Sequence, residues 1–169
     1  EECWSLYEVR YVMTVPENAK RVFHNLLERS RLAADVVRRG FLTCLPEKEI
    51  RLYAVIQKLY REGDAFLRNK ADPVYYPVAK ALRHLGGELE KLRGFVRFSD
   101  YSGVLGAEIT PKNRVLPLLR RHFCDRYANE RFFIYDRTHR ELLVYADHHS
   151  RLLPVDSLQL ALPGDEEVQ

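Results

Sequence analysis

The sequence predicts an α+β fold in which N-terminal helices pack against a ββαββ unit with an antiparallel sheet. Apolar residues recur at helical spacing through most of residues 14–92. Two pairs of aromatic and β-branched runs follow, each pair joined by a short turn, with a helical stretch between the pairs. We therefore expect one domain over residues 1–155, with a mainly helical part (1–92), a ββαββ part (93–155) and an acidic, frayed tail (156–169).

The composition is that of a folded chain. Of its 169 residues, 46% are hydrophobic and ten are tyrosine, which argues against disorder. No apolar run approaches the roughly 18 residues of a membrane span, and no basic-then-apolar leader opens the chain, so we predict a cytoplasmic protein without a membrane partner. The chain starts at Glu1 rather than at methionine, which is typical of a segment of a longer protein.

The cysteines favour neither a disulfide framework nor a zinc site. Cys3, Cys44 and Cys124 are odd in number and share no CxxC spacing. We expect reduced, packed thiols, and no cofactor or metal.

Two helices are predicted after a short strand-like run at residues 4–12. Thr14 and Glu17 stand at capping-box spacing and Gly40 can end a helix, so one helix is expected between them. The next should run from about residue 46 to residue 61, where an apolar stripe repeats at three- and four-residue steps.

A third helix is predicted to begin near Pro77 and to close at Gly94. An interior proline would remove a helix hydrogen bond, which places Pro77 close to the start. Gly86 and Gly87 fall in mid-helix, where each costs about 1 kcal/mol relative to alanine. We therefore expect another backbone to approach the helix there.

The first hairpin is predicted within residues 93–111, where Gly103 can supply the positive φ of a short turn. Strands joined so closely are antiparallel. Alternation puts Arg97 and Tyr101 on one face and Phe98 on the other. One face should join the core, and the other is either a half-solvated face or a platform for a polyanion.

The second half of the unit begins with a fourth helix, which Asn113 is expected to cap and whose first turn holds Pro117. The runs RFFIYDR and ELLVYAD predict a second hairpin that turns at residues 138–140. Residues 151–155 predict a short edge strand.

Positive charge is concentrated in residues 91–140. This segment holds eleven Lys or Arg against five Asp or Glu, a net charge of +6, whereas the rest of the chain sums to −3. Nine of the eleven are arginines, whose guanidinium groups suit bidentate phosphate contact, and nearby aromatic rings can stack on bases. We predict an arginine-rich face that binds DNA, although a solvated face with local ion pairs is the alternative. The predicted contact residues are Arg97, Arg120, Arg121, Arg126, His122, Phe98 and Tyr101.

Catalysis finds less support. His122 and Cys124 cannot face each other on one helix, because residues two apart diverge by about 200°. An enzyme that uses His122, Arg126 and Asp136 around a pocket is an alternative, and it requires these side chains to converge.

Metal and phosphate motifs are also weak. Asp147, His148 and His149 form the one dense cluster of ligand-type residues, but neighbouring residues of a strand point to opposite faces, so a solvated loop is favoured. The glycines of GVLG (residues 103–106) lack the lysine and serine or threonine of a P-loop.

Several segments resemble a known family. GFVRF (94–98), the stretch 111–119 running into HFCDRY, and FFIYDRTHRELLVY (132–145) are similar to the bacterial "probable DNA metabolism protein" family, a domain of unknown function. The likeness extends upstream through NAKRVF (18–23) and GFLTCLPEKE (40–49).

That resemblance implies participation in DNA repair together with a radical-SAM protein or a uracil-DNA glycosylase, and it supplies no catalytic residues. His122, Phe123 and Arg126 match the family pattern, whereas Glu90 stands where the pattern has histidine. The competing hypothesis is an adaptor that contacts only proteins, with the helical half as its docking surface.

Overall fold

The computed structural model describes residues 13–158, which form five α-helices and a five-stranded mixed sheet. The helices are α1 (Pro16–Arg29), α2 (Arg31–Gly40), α3 (Lys48–Glu62), α4 (Tyr76–Phe95) and α5 (Leu116–Arg126), with a 3-10 turn at Ala65–Arg68. The strands are β1 (Ser99–Asp100), β2 (Leu105–Ile109), β3 (Phe132–Asp136), β4 (Glu141–Ala146) and β5 (His149–Pro154). The predicted α+β class, with helices first, is confirmed.

Some predictions fall outside this range. The strand expected at residues 4–12 and the tail beyond residue 158 lie outside the described residues. Within residues 13–158, none of the helices combines the length and the apolarity that crossing a membrane requires.

The sheet has the order β1-β2-β3-β4-β5 and contains one parallel pair. β1–β2, β3–β4 and β4–β5 are antiparallel, but β2 and β3 run parallel, with Ala107 opposite Ile134. The prediction of a purely antiparallel sheet is wrong at this pair. Parallel neighbours need a crossover connection, and the segment that contains α5 provides it.

The first hairpin forms later in the chain than its hydrophobic run suggested. α4 continues to Phe95, so Gly94 lies inside the helix and does not close it. β1 is then limited to two residues, which pair with Gly106 and Leu105.

The N-terminal helix is divided in two by Ser30. Its backbone is extended (φ −160°, ψ 113°), and its hydroxyl accepts a hydrogen bond from Ala33 N (3.1 Å) and donates one to Asp64 Oδ2 (2.7 Å). The serine therefore ends α1 and caps α2. The capping box expected from Thr14 and Glu17 does not form, because Val15 is the N-cap of α1 and no side chain caps that end.

The mid-helix glycines also differ from the prediction. Apart from the adjacent residues and the nearby backbone of α4 itself, a Cβ at Gly86 or Gly87 would meet no described atom within 4 Å. The expected close approach of another backbone is therefore wrong.

Two apolar cores meet at α4. One joins α1, α2, α3 and the first half of α4, and includes Leu26, Val55 and Val78. The other lies between α4, α5 and one face of the sheet, and includes Leu119 and Phe132. Leu82 packs against both, so α4 holds the helical half and the sheet half together.

Asn113 was expected to cap α5, but the N-cap is Val115 and Asn113 is fully buried instead. Its side chain accepts a hydrogen bond from Cys44 N (2.9 Å) and donates one to Glu88 Oε2 (2.7 Å). It also lies 2.9 Å from His84 Nδ1. This buried amide therefore links the loop after α2, helix α4 and the loop before α5.

Candidate nucleic-acid interface

One face of the sheet is left uncovered by the described helices. Alternate side chains, among them Ala107, Ile134 and Leu143, are buried in the core that α4 and α5 share. The side chains that point the other way belong to neither core cluster of residues 13–158. We call this surface the open face. It carries Gly106, Glu108, Phe133, Tyr135, Leu142, Val144, Arg151 and Leu153. Tyr135 is buried within it, at 4% exposure, whereas Leu153 is 41% exposed.

Tyr101 joins the open face through the β1–β2 turn. Ser102 and Gly103 both have positive φ (54° and 87°), the geometry of a two-residue hairpin turn. Tyr101 N donates to Val104 O (2.8 Å), and Gly103 N donates to Asp100 Oδ1 (2.7 Å). These bonds fix Tyr101 at the end of β1, where its half-buried ring lies 5.7 Å from that of Phe133 at an interplanar angle of 46°.

Gly106 makes room for this aromatic pair. A Cβ there would overlap Phe133 Cζ and would lie 2.6 Å from Tyr101 Cε2. Because a larger residue would occupy this space, the two rings can lie against the sheet itself only above a glycine.

Two arginines flank Phe133 along the chain, Arg131 before it and Arg137 after it. Arg137 forms an ion pair with Glu108 across β2 and β3 (3.1 Å), and Arg131 forms one with Asp147 (3.5 Å). These pairs are exposed, and such pairs contribute at most about 1 kcal/mol, so a phosphate can replace the carboxylate.

Arg97 and Arg151 carry the free positive charge at this surface. Both are exposed, and neither forms an ion pair with a carboxylate of residues 13–158. Arg151 lies on β5 opposite Val144. Arg97 lies two residues before β1, on the side of Tyr101 by alternation, and lines a 460 Å³ cavity together with Glu108.

The other predicted arginines lie on the opposite side of the sheet, on α5. Arg120 donates to Ser150 Oγ (2.7 Å) and Ser150 O (3.0 Å). Arg121 pairs with Asp125 at 3.6 Å, and Arg126 lies 5.7 Å above the ring of Tyr127. The structure therefore divides the predicted contact residues between two surfaces.

Carboxylates neutralise much of the arginine-rich segment. Six of its nine arginines form an ion pair: Arg93, Arg114, Arg121, Arg131, Arg137 and Arg140. The local positive field is correspondingly weaker than the formal charge suggests, and any phosphate contact has to exchange with these pairs.

Phe98 belongs to the core. Its ring packs edge-on against Phe123 (5.7 Å), Tyr127 (4.9 Å) and Phe132 (5.9 Å). Of the two predicted aromatic contact residues, Phe98 is thus a packing residue and Tyr101 is the one at the surface.

A comparison with protein-family models assigns this chain to a family. The sequence model of a domain of unknown function (DUF4130) matches residues 46–167. The chain belongs to this family. No curated protein and no solved structure matches it.

The catalytic constellation considered for this DUF4130 chain does not assemble. Asp136 is fully buried and accepts hydrogen bonds from His139 N (3.1 Å) and His139 Nδ1 (2.8 Å), and burial raises the pKa of its carboxyl group. Tyr127, next to Arg126, packs 6.1 Å from Phe132 at the other end of β3. Four strand residues separate the two ends by about 13 Å.

Among residues 13–158, no hydrogen bond joins Asp136 to His122. Its Nε2 is buried and has no hydrogen-bond partner in the described part of the chain. Its ring instead packs edge-on against Phe123, with the centroids 5.0 Å apart.

The described residues also hold no cluster of three or more metal-ligating side chains. Asp147 pairs with Arg131, and both Asp147 and His148 adopt positive φ in the β4–β5 turn. Asp147 and His148 thus lie in a turn, in agreement with the expected solvated loop, whereas His149 is the first residue of β5.

Sequence reasoning missed Phe133 and Gly106 as site residues. Alternation in RFFIYDR could have placed Phe133 opposite Phe132 and Ile134, but which face stays uncovered depends on where α4 and α5 pack. Gly106 looked like part of a hairpin, and its importance depends on a ring from the neighbouring strand.

Proposed function

We propose that this DUF4130 protein is an accessory protein of DNA metabolism that binds DNA through the open face. The observation that carries the proposal is the aromatic pair Tyr101–Phe133, which lies on a sheet surface that the described helices leave open and that Arg97, Arg137 and Arg151 border. Aromatic rings and guanidinium groups on one surface supply the two contacts that nucleic acids offer, base faces and phosphates.

The charge of the described part supports an anionic partner. Residues 13–158 contain 26 Lys or Arg and 18 Asp or Glu, a net charge of +8, whereas the whole chain carries +3. Arg120, Arg121 and Arg126 share in this excess, and in our proposal they act by long-range attraction rather than by direct contact.

The resemblance to the DNA metabolism family supports the biological setting. We propose that the protein acts in DNA repair beside a radical-SAM protein or a uracil-DNA glycosylase. An accessory role is favoured because the side chains considered for catalysis, His122, Arg126 and Asp136, lie apart.

The test is DNA binding at low salt by fluorescence anisotropy, with single-stranded and duplex oligonucleotides. The variant Arg97→Gln/Arg151→Gln should weaken binding about tenfold or more, because two phosphate contacts are lost. The control Arg121→Gln/Arg126→Gln removes the same charge from α5 and should weaken binding less. Absence of binding to either oligonucleotide, or a larger loss in the α5 variant, contradicts the proposed interface.

A second candidate function, that of a protein-interaction adaptor, is favoured by a different surface. Two adjoining cavities of 560 and 660 Å³ lie along α1 and α3 and share Val22 and Ile56. Phe41 and Tyr53 line them although they are 47% and 59% exposed. Contiguous exposed apolar surface of this kind marks interaction sites.

Co-purification of a protein partner that survives high salt and nuclease treatment would support the adaptor function. Val22→Lys, inside the shared wall of the two cavities, should abolish it, whereas Ile50→Lys, a 68% exposed position that lines neither cavity, should not. Equal behaviour of the two variants would contradict this docking surface.

A further inference from the structure

We infer that the DNA recognised by the open face is unpaired, and that bases stack on the rings of Tyr101 and Phe133. The inference rests on the proposed function and adds the class of DNA. It follows from what the two rings expose and from the shape of the surface that holds them.

Within residues 13–158, the rings of Tyr101 and Phe133 pair with each other and with no further aromatic ring. Tyr101 and Phe133 are half-buried, so part of each ring meets solvent, and they pack against each other at a tilt of 46°. The side chain of Phe133 has no polar atom, so its exposed part gains no hydrogen bond from water. Gly106 beneath them keeps both rings against the sheet.

A broad sheet surface suits an unpaired strand better than a duplex. In a duplex the base faces are stacked on one another, and a ring can reach them only by unstacking a step, which costs a few kcal/mol. An unpaired strand offers every base face, and sheets that carry exposed aromatic residues bind bases by stacking.

The positions of the arginines suit an unpaired DNA strand that crosses the sheet. Arg97 precedes the edge strand β1, and Arg151 lies on the opposite edge strand β5. Four strand spacings, about 19 Å, separate these edges. The aromatic pair and Arg137 lie between them, so bases can stack while phosphates meet a guanidinium group at each edge.

The experiment compares four probes of equal length by fluorescence anisotropy: oligothymidine, the same backbone with abasic residues, a duplex, and oligouridine. We expect oligothymidine to bind at least tenfold tighter than the abasic strand and the duplex, because only it presents free base faces. Tyr101→Leu and Phe133→Leu keep apolar bulk and should each weaken oligothymidine binding about tenfold. Tyr76→Leu, at a 53% exposed tyrosine of α4, is the control and should not.

The outcomes separate this inference from the proposed function. If the duplex or the abasic strand binds as tightly as oligothymidine, or if both leucine variants bind like the wild type, stacking is wrong while DNA binding stands. If oligouridine binds more than tenfold tighter than oligothymidine, the ligand is RNA and the inference about DNA is overturned. If none of the probes binds, the proposed function itself fails. Circular dichroism of each variant verifies that it is folded.

Discussion

The carboxylate of Glu88 in α4 accepts a hydrogen bond from the side-chain amide of Asn113 at 2.7 Å and another from the backbone N–H of the same residue at 2.9 Å. Lys112 N donates a third at 2.8 Å. Burial by itself would raise the pKa of Glu88, but these three hydrogen bonds outweigh it and lower the pKa below its ordinary range. The connection between helix and sheet therefore depends on an ionised carboxylate.

Glu88→Gln should make stability less dependent on pH in the acid range. Because the folded-state pKa is lowered, the carboxylate contributes stability above the unfolded value of about 4.3 and loses it as the pH falls through the folded pKa. The variant should cost about 2 kcal/mol near neutral pH and less in acid. Urea unfolding at neutral pH and in acid measures this difference in the free energy of unfolding. The exposed Glu49→Gln serves as control, and a cost that does not change with pH would contradict the prediction.

Asn113→Ala should destabilise the protein by about 2–3 kcal/mol, because it removes a fully buried amide and leaves the Cys44 N–H and the Glu88 carboxylate without this partner. Asn69→Ala removes a comparable but exposed hydrogen bond to Ala71 N (3.1 Å) and should cost less than about 1 kcal/mol. Denaturant unfolding of both variants provides the comparison. Equal costs would show that the buried amide is not a structural link.

Gly106→Ala should keep the fold but displace the aromatic pair. The atoms in the way belong to the ring ends of Tyr101 and Phe133, which can move, so we expect a cost of about 1 kcal/mol and a changed near-ultraviolet circular dichroism spectrum. The affinity of the Gly106→Ala variant for DNA should also fall. Gly87→Ala, where a Cβ meets open space within a helix, should instead stabilise by up to about 1 kcal/mol and leave the spectrum unchanged. An unaltered spectrum for Gly106→Ala would contradict the packing.

The salt dependence of DNA binding should report the number of phosphate contacts on the open face. Each contact to a single strand contributes about 0.7 to the slope of log affinity against log salt. Arg97→Gln/Arg151→Gln should therefore reduce the slope by about 1.4, and Arg121→Gln/Arg126→Gln by less. Titrations at several salt concentrations give both slopes. The same slope for the two variants would contradict a localised contact.

The local pattern of the sequence was sufficient to predict most strands of the sheet half and the face on which their side chains lie. Alternation placed Phe98 and Tyr101 on opposite faces, and the structure has Phe98 in the core and Tyr101 at the surface. The runs that predicted the second hairpin became β3 and β4, paired antiparallel from Asp136–Glu141 to Phe132–Tyr145. Side chains two apart share a face of a strand whatever the rest of the chain does.

Predictions that depended on a distant partner were less successful. The Ser30 hydroxyl, at the point where the N-terminal helix is divided, donates a hydrogen bond to Asp64, 34 residues away. Asn113 is a buried link and not the predicted helix cap, because its side chain bonds to Cys44 and Glu88, which are distant in the chain. A capping pattern describes only what neighbours in the chain can offer.

By itself, the sequence determined the α+β order of elements, the positions of most helices and strands, and which residues of each strand share a side, because these follow from periods of 3.6 and 2 residues. Tertiary structure alone decided that β2 runs parallel to β3, that α4 and α5 cover one face of the sheet, and that Arg97 and Arg120 therefore lie on different surfaces. These outcomes follow from burial of apolar area between elements far apart in the chain, which no local pattern encodes.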